Sequence, residues 1–290
     1  MEETIIGIVI LNYNSSSECE KCIEYIHTQK NANYMVILVD NCSNKNDAYR
    51  LEIIAKEKNA KLIKNKANNG YSAGNNVGLK YAYDYGCKYA VIINPDVELV
   101  NALSLKRMYD VMENDGTVAV CGTDIILPNT NIHQNPSIEL PFIDEFDWVG
   151  CYFRYRHKPQ GTWWLGDFST SSYCEKLHGC CFMIRMSFLC SIGFLDEHTF
   201  LYCEEPILAK QVQHADMKMY YISDIQIIHN HIEKNKGNPL HRWKILNESR
   251  KYYLTRYSGY KTISLFVILL SRKIQSLIFY LYFKCKYRNS

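Results

Sequence analysis

Acids and amides that stand directly after short apolar runs carry the chemistry of this sequence. Within residues 88–100 (KYAVIINPDVELV), Tyr89–Ile93 is apolar and β-branched, suited to a strand buried on both faces. Asn94-Pro95 ends it, because proline has no ladder donor. Asp96 follows at the carboxyl end, the edge where open α/β sheets bind ligands. With an amide two residues before it and Glu98 two after, Asp96 is placed to hold a hard divalent cation, Mg²⁺ or Mn²⁺. Nucleotide phosphates commonly complete such a shell. The plainer alternative is a cap on the turn. Asp40 ends a second apolar run, 34–39. Glu204-Glu205-Pro206 opens a helical pattern reaching about His214. Proline is tolerated in a first helical turn, and the dipole there favours ionised carboxylates. His229 closes a late strand.

Stepping along the chain gives the elements that must position these groups. Residues 5–11 read as a buried strand, and Ser15 to Ser17 offer helix-cap chemistry before a helical pattern to Gln29. Strand 34–39, helix 48–58 and strand 60–63 follow. Strand, helix, strand in this rhythm means parallel strands with right-handed crossovers, an α/β fold. Residues 65–86 then place Gly70, Gly74 and Gly78 among Asn68, Asn69, Asn75 and Asn76, a loop running into a helix. Glycine permits close backbone approach, and a helix start offers N–H groups to an anion. No Gly-Lys-Ser/Thr follows, so it is not a P-loop, and the glycine order excludes the dinucleotide fingerprint. The alternative is a helix packed tightly on the sheet through small residues. A helix is expected over 101–115 and a strand over 118–122. Residues 124–167 lose periodicity and are rich in proline and aromatics; such a surface would suit a sugar or a lipid-linked acceptor, the alternative being an ordinary packed insertion. Strands are expected over 177–184, 219–222 and 225–228, with a short helix over 186–191 between the first two.

Charge is unevenly spread. The net charge is +3, yet the 49 residues from Arg242 onward hold eleven Lys/Arg and one acid, leaving 22 basic against 29 acidic residues elsewhere. A mildly acidic body with a basic tail points to an anionic membrane or a nucleic acid as the tail's partner. The tail's apolar runs, 263–270 and 277–283, are split by Ser271-Arg272-Lys273. Neither half reaches the ~20 residues of a spanning helix. An interfacial amphipathic helix fits better, and the interrupted apolar halves favour lipid over nucleic acid. The alternative is a basic helix pair docked on the body or on a second copy, as a homodimer. Twelve scattered cysteines and an acidic, short-run start read as reduced thiols in a cytoplasmic protein. Cys19-x-x-Cys22 has no second pair at zinc-finger distance.

As an ordered set, VILNYN (9–14), VDNCS (39–43), NNGYSAGNNVG (68–78), INPDVEL (93–99), HGCCFMI (178–184), GFLDEHTFLYCEE (193–205) and His229 resemble a family 2 inverting glycosyltransferase of GT-A fold, in its rhamnosyltransferase-like branch. The resemblance covers residues 5–231. It implies that Tyr13 and Asp40 meet the nucleobase and ribose, and that Asn68, Gly70, Asn76 and Asn94 shape the nucleotide pocket. It implies that Asp96 binds Mg²⁺ or Mn²⁺ as the last member of a DxD-type motif, with His229 as a further metal ligand or a structural histidine. Gly179 and Cys180 would line the acceptor side. Glu205 stands where the family places its base, with Glu204 as the alternative. Here Glu-Glu-Pro-Ile replaces the usual Glu-Asp-x-Asp, so Glu205 is one methylene longer and Ile207 replaces the second acid.

The chemistry asks for these types. One carboxylate takes the acceptor proton as the hydroxyl attacks, and a metal stabilises the leaving diphosphate. The expectation is therefore a catalytic domain over 1–236, with a nucleotide-sugar half (1–122) and an acceptor half (123–236), then a basic helical region over 237–290. It would move a sugar, rhamnose or another hexose, from a dTDP- or UDP-sugar to a lipid-linked or oligosaccharide acceptor in surface polysaccharide synthesis, on the cytoplasmic face of the membrane. The rivals are a catalytically degenerate nucleotide or partner binder and a nucleotidyltransferase. The latter would want a glycine-rich basic loop after the first strand, where Asn12-Tyr13-Asn14-Ser15 stands instead.

Overall fold

The computed structural model describes residues 5–159, 162–230 and 238–288. Three β-branched runs form parallel neighbours: β1 (Ile5–Asn12), β2 (Asn33–Asp40) and β3 (Lys61–Lys64), with β4 (Tyr89–Ile93) on the other side of β1. The crossovers are α1 (Ser16–His27), α2 (Lys45–Glu57) and α3 (Tyr71–Asp84). Asn44 caps α2 by accepting from the Asn46 and Asp47 amides. All five residues of β4 are buried, as its continuous apolar run requires.

The sheet then turns mixed. After the two-residue β5 (Val97–Glu98) come α4 (Ser104–Asn114), β6 (Val118–Ile126), α5 (Phe142–Phe146), α6 (Trp148–Tyr155), β7 (Ser172–Cys174), β8 (Cys181–Arg185), α7 (Met186–Ser191), α8 (Glu204–His214) and β9 (Lys218–His229). The order is β3-β2-β1-β4-β8-β6-β9-β5, with β7 also on β9. β8 runs antiparallel to β4, pairing Ile93 with Cys181. That reversal brings the start of β8 to the carboxyl end of β4, so the chain before Cys181 lands beside Asn94. β5 pairs antiparallel with β9, setting Val97 opposite His229. One sheet edge thus collects the ends of β1, β2, β4 and β9 and the start of β8.

Two apolar cores flank the sheet. One holds Ile23, Ile26, Leu51 and Met108 from α1, α2 and α4; the other holds Leu79, Leu189, Leu208 and Val212 from α3, α7 and α8. Gly74 and Gly78 let α3 lie on β1, since a Cβ at either would sit 2.6 Å from Leu11 or Val9.

The elements depart from expectation in identifiable places. Strands 219–222 and 225–228 are one strand, β9, whose register against β6 jumps from Ile222 to Gln226 and so absorbs residues 223–225 as a bulge. The strand expected over 177–184 begins only at Cys181, because β4 has ended and residues 177–180 turn toward the site. The tail's two apolar halves are one helix. After α9 (Pro239–Arg256), α10 spans Thr262–Arg288 without a break at Ser271-Arg272-Lys273. There Ser271 Oγ donates to the Phe146 carbonyl at 2.6 Å and Arg272 reaches Glu145, so these polar residues are an inward anchor. Thr262–Cys285 is long and apolar enough to cross a membrane by length and composition, which the halves taken separately were not. The boundary expected at 236/237 lies outside the described residues.

Candidate functional site

The end expected to take the nucleotide is built by amides. Asn12, fully buried at the end of β1, donates to Asp40 Oδ1 (3.2 Å), Ser43 Oγ (3.0 Å) and Asp47 Oδ2 (2.8 Å). Asp40 is buried at the end of β2, and Tyr13 beside it is exposed. Asn41 donates to Asn68 Oδ1 (2.9 Å) and to the Gly70 carbonyl (3.2 Å), which fixes the loop before α3. Asn12 and Asn41 are not among the site residues expected from the sequence, although each stands at the end of an apolar run.

Gly70 joins that loop to a distant one. Its φ is +103°, and a Cβ there would lie 2.4 Å from the Phe200 carbonyl oxygen, so only glycine fits. The next amide, Tyr71 N, donates to that same carbonyl at 2.8 Å. Asn76 is not on the cleft wall. Its amide group donates to Leu195 O (2.8 Å) and Glu197 (2.7 Å) and accepts from Leu195 N (3.0 Å), fastening loop 193–203 to α3.

At the centre, Asp96 Oδ2 lies 3.5 Å from His229 Nε2. His229 Nδ1 bonds the Gln134 amide oxygen at 2.8 Å, which places the ring proton on Nδ1 and turns Nε2 toward Asp96. A carboxylate facing an oriented imidazole is a donor set that can hold a divalent cation. His178, Cys180 and His229 bring their ligand atoms within 4.8 Å of one another. Cys180 N donates to His178 Nδ1 at 3.1 Å, so that imidazole presents a proton on its other nitrogen.

The base candidates lie on the same wall. Gly179 N donates to Glu205 Oε1 at 3.2 Å, and a Cβ on Gly179 would come within 2.9 Å of that oxygen. Tyr71 OH donates to Gly179 O (2.8 Å) and lies 3.1 Å from Asn94 Oδ1, tying the end of β4 to the Glu205 turn. Glu204 is half-buried, and one of its carboxylate oxygens is buried with no hydrogen-bond partner among the described residues. Burial, then the charge of Glu205, push its pKa to about 8, so it keeps its proton at neutral pH. Tyr202 and Cys203, immediately before α8, are both left-handed (φ 73° and 68°), a strained approach to the two glutamates.

A cleft of about 410 Å³ opens here, lined among others by Trp164, Lys176, His178, Cys180, Glu205 and Arg250. Arg250 comes from α9, so the tail forms part of this wall. It is locked to Glu145 of α5, with Nε 3.1 and 3.2 Å from the two carboxylate oxygens, and Arg272 of α10 meets Glu145 at 3.0 Å. Asp196 in loop 193–203 accepts from Tyr252 OH (2.8 Å) and Tyr257 OH (2.5 Å). Ile207, where the resemblance leads one to look for an acid, is buried against Tyr253, Leu254 and Ile268. The departure from the motif is thus the seat of the tail helices.

A mixed sheet of this order, with an acid–histidine pair and a helix-start glutamate on one edge, defines a GT-A glycosyltransferase. The chain belongs to glycosyl transferase family 2, whose sequence profile matches residues 7–190. It is 22% identical over 226 residues to the low-salt glycan biosynthesis hexosyltransferase Agl10 of Haloferax volcanii, covering 78% of this chain and 67% of that one. It is 21% identical over 279 residues to the N-acetylglucosaminyl-diphospho-decaprenol L-rhamnosyltransferase of Mycobacterium tuberculosis, covering 88% and 86%. Among solved structures, the mannosyltransferase PcManGT of Pyrobaculum calidifontis with GDP-Man and Mn²⁺ aligns with TM-score 0.59 at 13% identity, over 94% of this chain and 70% of that one. GalNAc-T7 with UDP, GalNAc and Mn²⁺ aligns with TM-score 0.63 at 14% identity, over 89% and 49%. The protein is a glycosyltransferase.

Proposed function

We propose that this enzyme moves a hexose or rhamnose, with inversion, from a dTDP- or UDP-sugar to a lipid-linked or oligosaccharide acceptor. The observation that carries this reading is the hydrogen-bonded run Asn94–Tyr71–Gly179–Glu205, which links the sheet edge bearing Asp96 to the helix start bearing Glu205. Glu205 acts as base: its carboxylate takes the proton of the acceptor hydroxyl as that oxygen attacks the anomeric carbon and the nucleoside diphosphate departs. Glu204, being protonated, adds no competing negative charge beside it. Asp96 and His229 would hold the divalent cation, Mg²⁺ or Mn²⁺. When bound, that cation neutralises charge on the departing diphosphate. Asp40, Asn12 and Tyr13 would receive the nucleoside, and Asn68 and Gly70 hold the loop that borders it. Among the proteins named above, one structure holds GDP-Man with Mn²⁺, another holds UDP, GalNAc and Mn²⁺, and one relative is an N-acetylglucosaminyl-diphospho-decaprenol rhamnosyltransferase, which supports the same assignment here.

The tail would rest on the inner face of the cell membrane. Ile268 and Arg272 hold α10 against the body, while Ile263, Phe266, Leu270, Ile274, Leu277 and Leu281 form an exposed stripe at three- and four-residue spacing. Phe142, Ile143, Phe146, Val149, Tyr152 and Phe153 expose a second apolar surface on α5 and α6, next to α10. A patch so large and flanked by lysines suits an anionic bilayer surface. The test of the activity is nucleotide release from a panel of UDP- and dTDP-sugars with Mn²⁺, Mg²⁺ or EDTA. Release that depends on Mg²⁺ or Mn²⁺ and on an added glycosyl acceptor supports the reading; no release from any donor ends it.

A further inference from the structure

The cleft beside Glu205 holds three basic or potentially basic side chains, Lys176, His178 and Arg250, and their partners differ. Arg250 has its charge met by Glu145 and its guanidinium seated 4.8 Å above the Tyr253 ring. His178 accepts from Cys180 N. Lys176 stands apart. Its ammonium makes no hydrogen bond or ion pair with any described residue, although the side chain is half-buried. Its backbone is held firmly, the Lys176 carbonyl accepting from Ser137 N at 3.0 Å, so the side chain starts from a fixed point three residues before Gly179.

A desolvated ammonium without a counterion is unfavourable by itself. Burial does push the Lys176 pKa down, Glu139 and Glu205 offsetting only part of it. The acids around it have other tasks. Glu139 accepts from Tyr253 OH at 2.6 Å, Glu205 from Gly179 N, and Glu204 is neutral. The cleft wall also carries Trp164, a face for a sugar ring, and Leu140, Leu201 and Leu246, apolar surface that cannot satisfy a cation.

We propose that Lys176 recognises an anionic group carried by the acceptor, a phosphate or a carboxylate close to the reacting hydroxyl, so that the enzyme selects acidic acceptors over neutral ones. This rests on the transferase reading above and adds the charge class of the acceptor to it. The shared chemistry is an oxyanion; its sources are a glycosyl diphosphate on a lipid or a uronic acid in an oligosaccharide.

The experiment compares three acceptors with one aglycone: an alkyl glycoside, its uronic-acid counterpart and its alkyl-diphosphate counterpart. Each is titrated by calorimetry into the full-length protein, and each is assayed for transfer. Wild type is set against K176M and K176R, and donor binding is measured alongside. Lys176 is half-exposed and its methionine variant removes an unpaired charge, so K176M folds; its melting temperature is the check. The expected result is a 10- to 100-fold weaker KM and Kd for one acidic acceptor in K176M, the range for losing a hydrogen bond between charged groups. The neutral glycoside, donor affinity and kcat stay within about threefold, and K176R restores most of the loss. Which acidic acceptor responds identifies the source. Equal effects on all three acceptors, or none on any, overturn the proposal. Absence of transfer from any donor to any acceptor would instead sink the transferase reading itself.

Discussion

Glu145 is one of the residues that join the tail to the cleft, and its replacement should be costly. Its carboxylate is fully buried and faces two guanidiniums, Arg250 of the cleft wall and Arg272 of α10. Burial opposes the charge, but Arg250 and then Arg272 hold the carboxyl below its usual range. Glu145→Gln leaves two largely buried cations with no anion between them. Breaking such a network at its centre costs about 3–5 kcal/mol. For 290 residues the unfolding entropy is about 0.6 kcal/mol/K, at ~2.1 cal/mol/K per residue, so the melting temperature should fall by about 5–8 °C. Arg272→Met leaves the Glu145–Arg250 pair intact and should cost about 1 kcal/mol or less. Thermal unfolding followed by circular dichroism reads both. An E145Q variant that melts within 1 °C of wild type, or an R272M variant equally damaged, would refute the argument that Glu145 is the shared counterion.

Other outcomes follow from the same geometry. Glu204 has a folded pKa of about 8 against an ordinary 4.5, so the folded state keeps a proton that the unfolded chain releases. Stability contributed by that group therefore falls as pH rises from about 4.5 to 8 and is flat above; Glu204→Gln should flatten that slope and gain up to about 4 kcal/mol at pH 8, read by urea unfolding across the range. Gly70→Ala must push loop 193–203 away from α3, since its Cβ meets backbone at 2.4 Å, and transfer should drop at least tenfold with a loss of 2 kcal/mol or more. Replacing Phe266, Leu270, Ile274 and Leu277 with serine should cut flotation with anionic vesicles at least tenfold while leaving the melting temperature nearly unchanged, because all four face outward. Retained flotation would remove α10 from the membrane contact.

Much of this was readable before any coordinates. Strand-end acids are set by apolar runs and the prolines or amides that stop them, which are local signals; Asp40 and Asp96 fell where those signals put them. The pairing of His229 with Asp96 depended on β5, two residues long, and no periodicity can announce so short a strand. The continuity of α10 was hidden by Ser271-Arg272-Lys273, because a polar interruption looks like a break until its partners, Glu145 and the Phe146 carbonyl, are seen. Lys176 and Arg250 were invisible as cleft residues for the same reason: their position comes from tertiary packing of residues 124–167 and of α9, neither of which carries a motif. Ile207 is the instructive case. As a motif position it read as a lost acid, whereas in the fold it is the apolar seat of α9 and α10.

The most direct measurement concerns Glu205. In Glu205→Gln the glutamine keeps an oxygen for the Gly179 amide but cannot take a proton. Binding of the donor's nucleoside diphosphate with Mn²⁺ should stay within about twofold of wild type, while sugar transfer to an accepted acceptor should fall 10²- to 10⁴-fold. A variant that binds normally and still transfers at close to the wild-type rate would show that another group removes the acceptor proton.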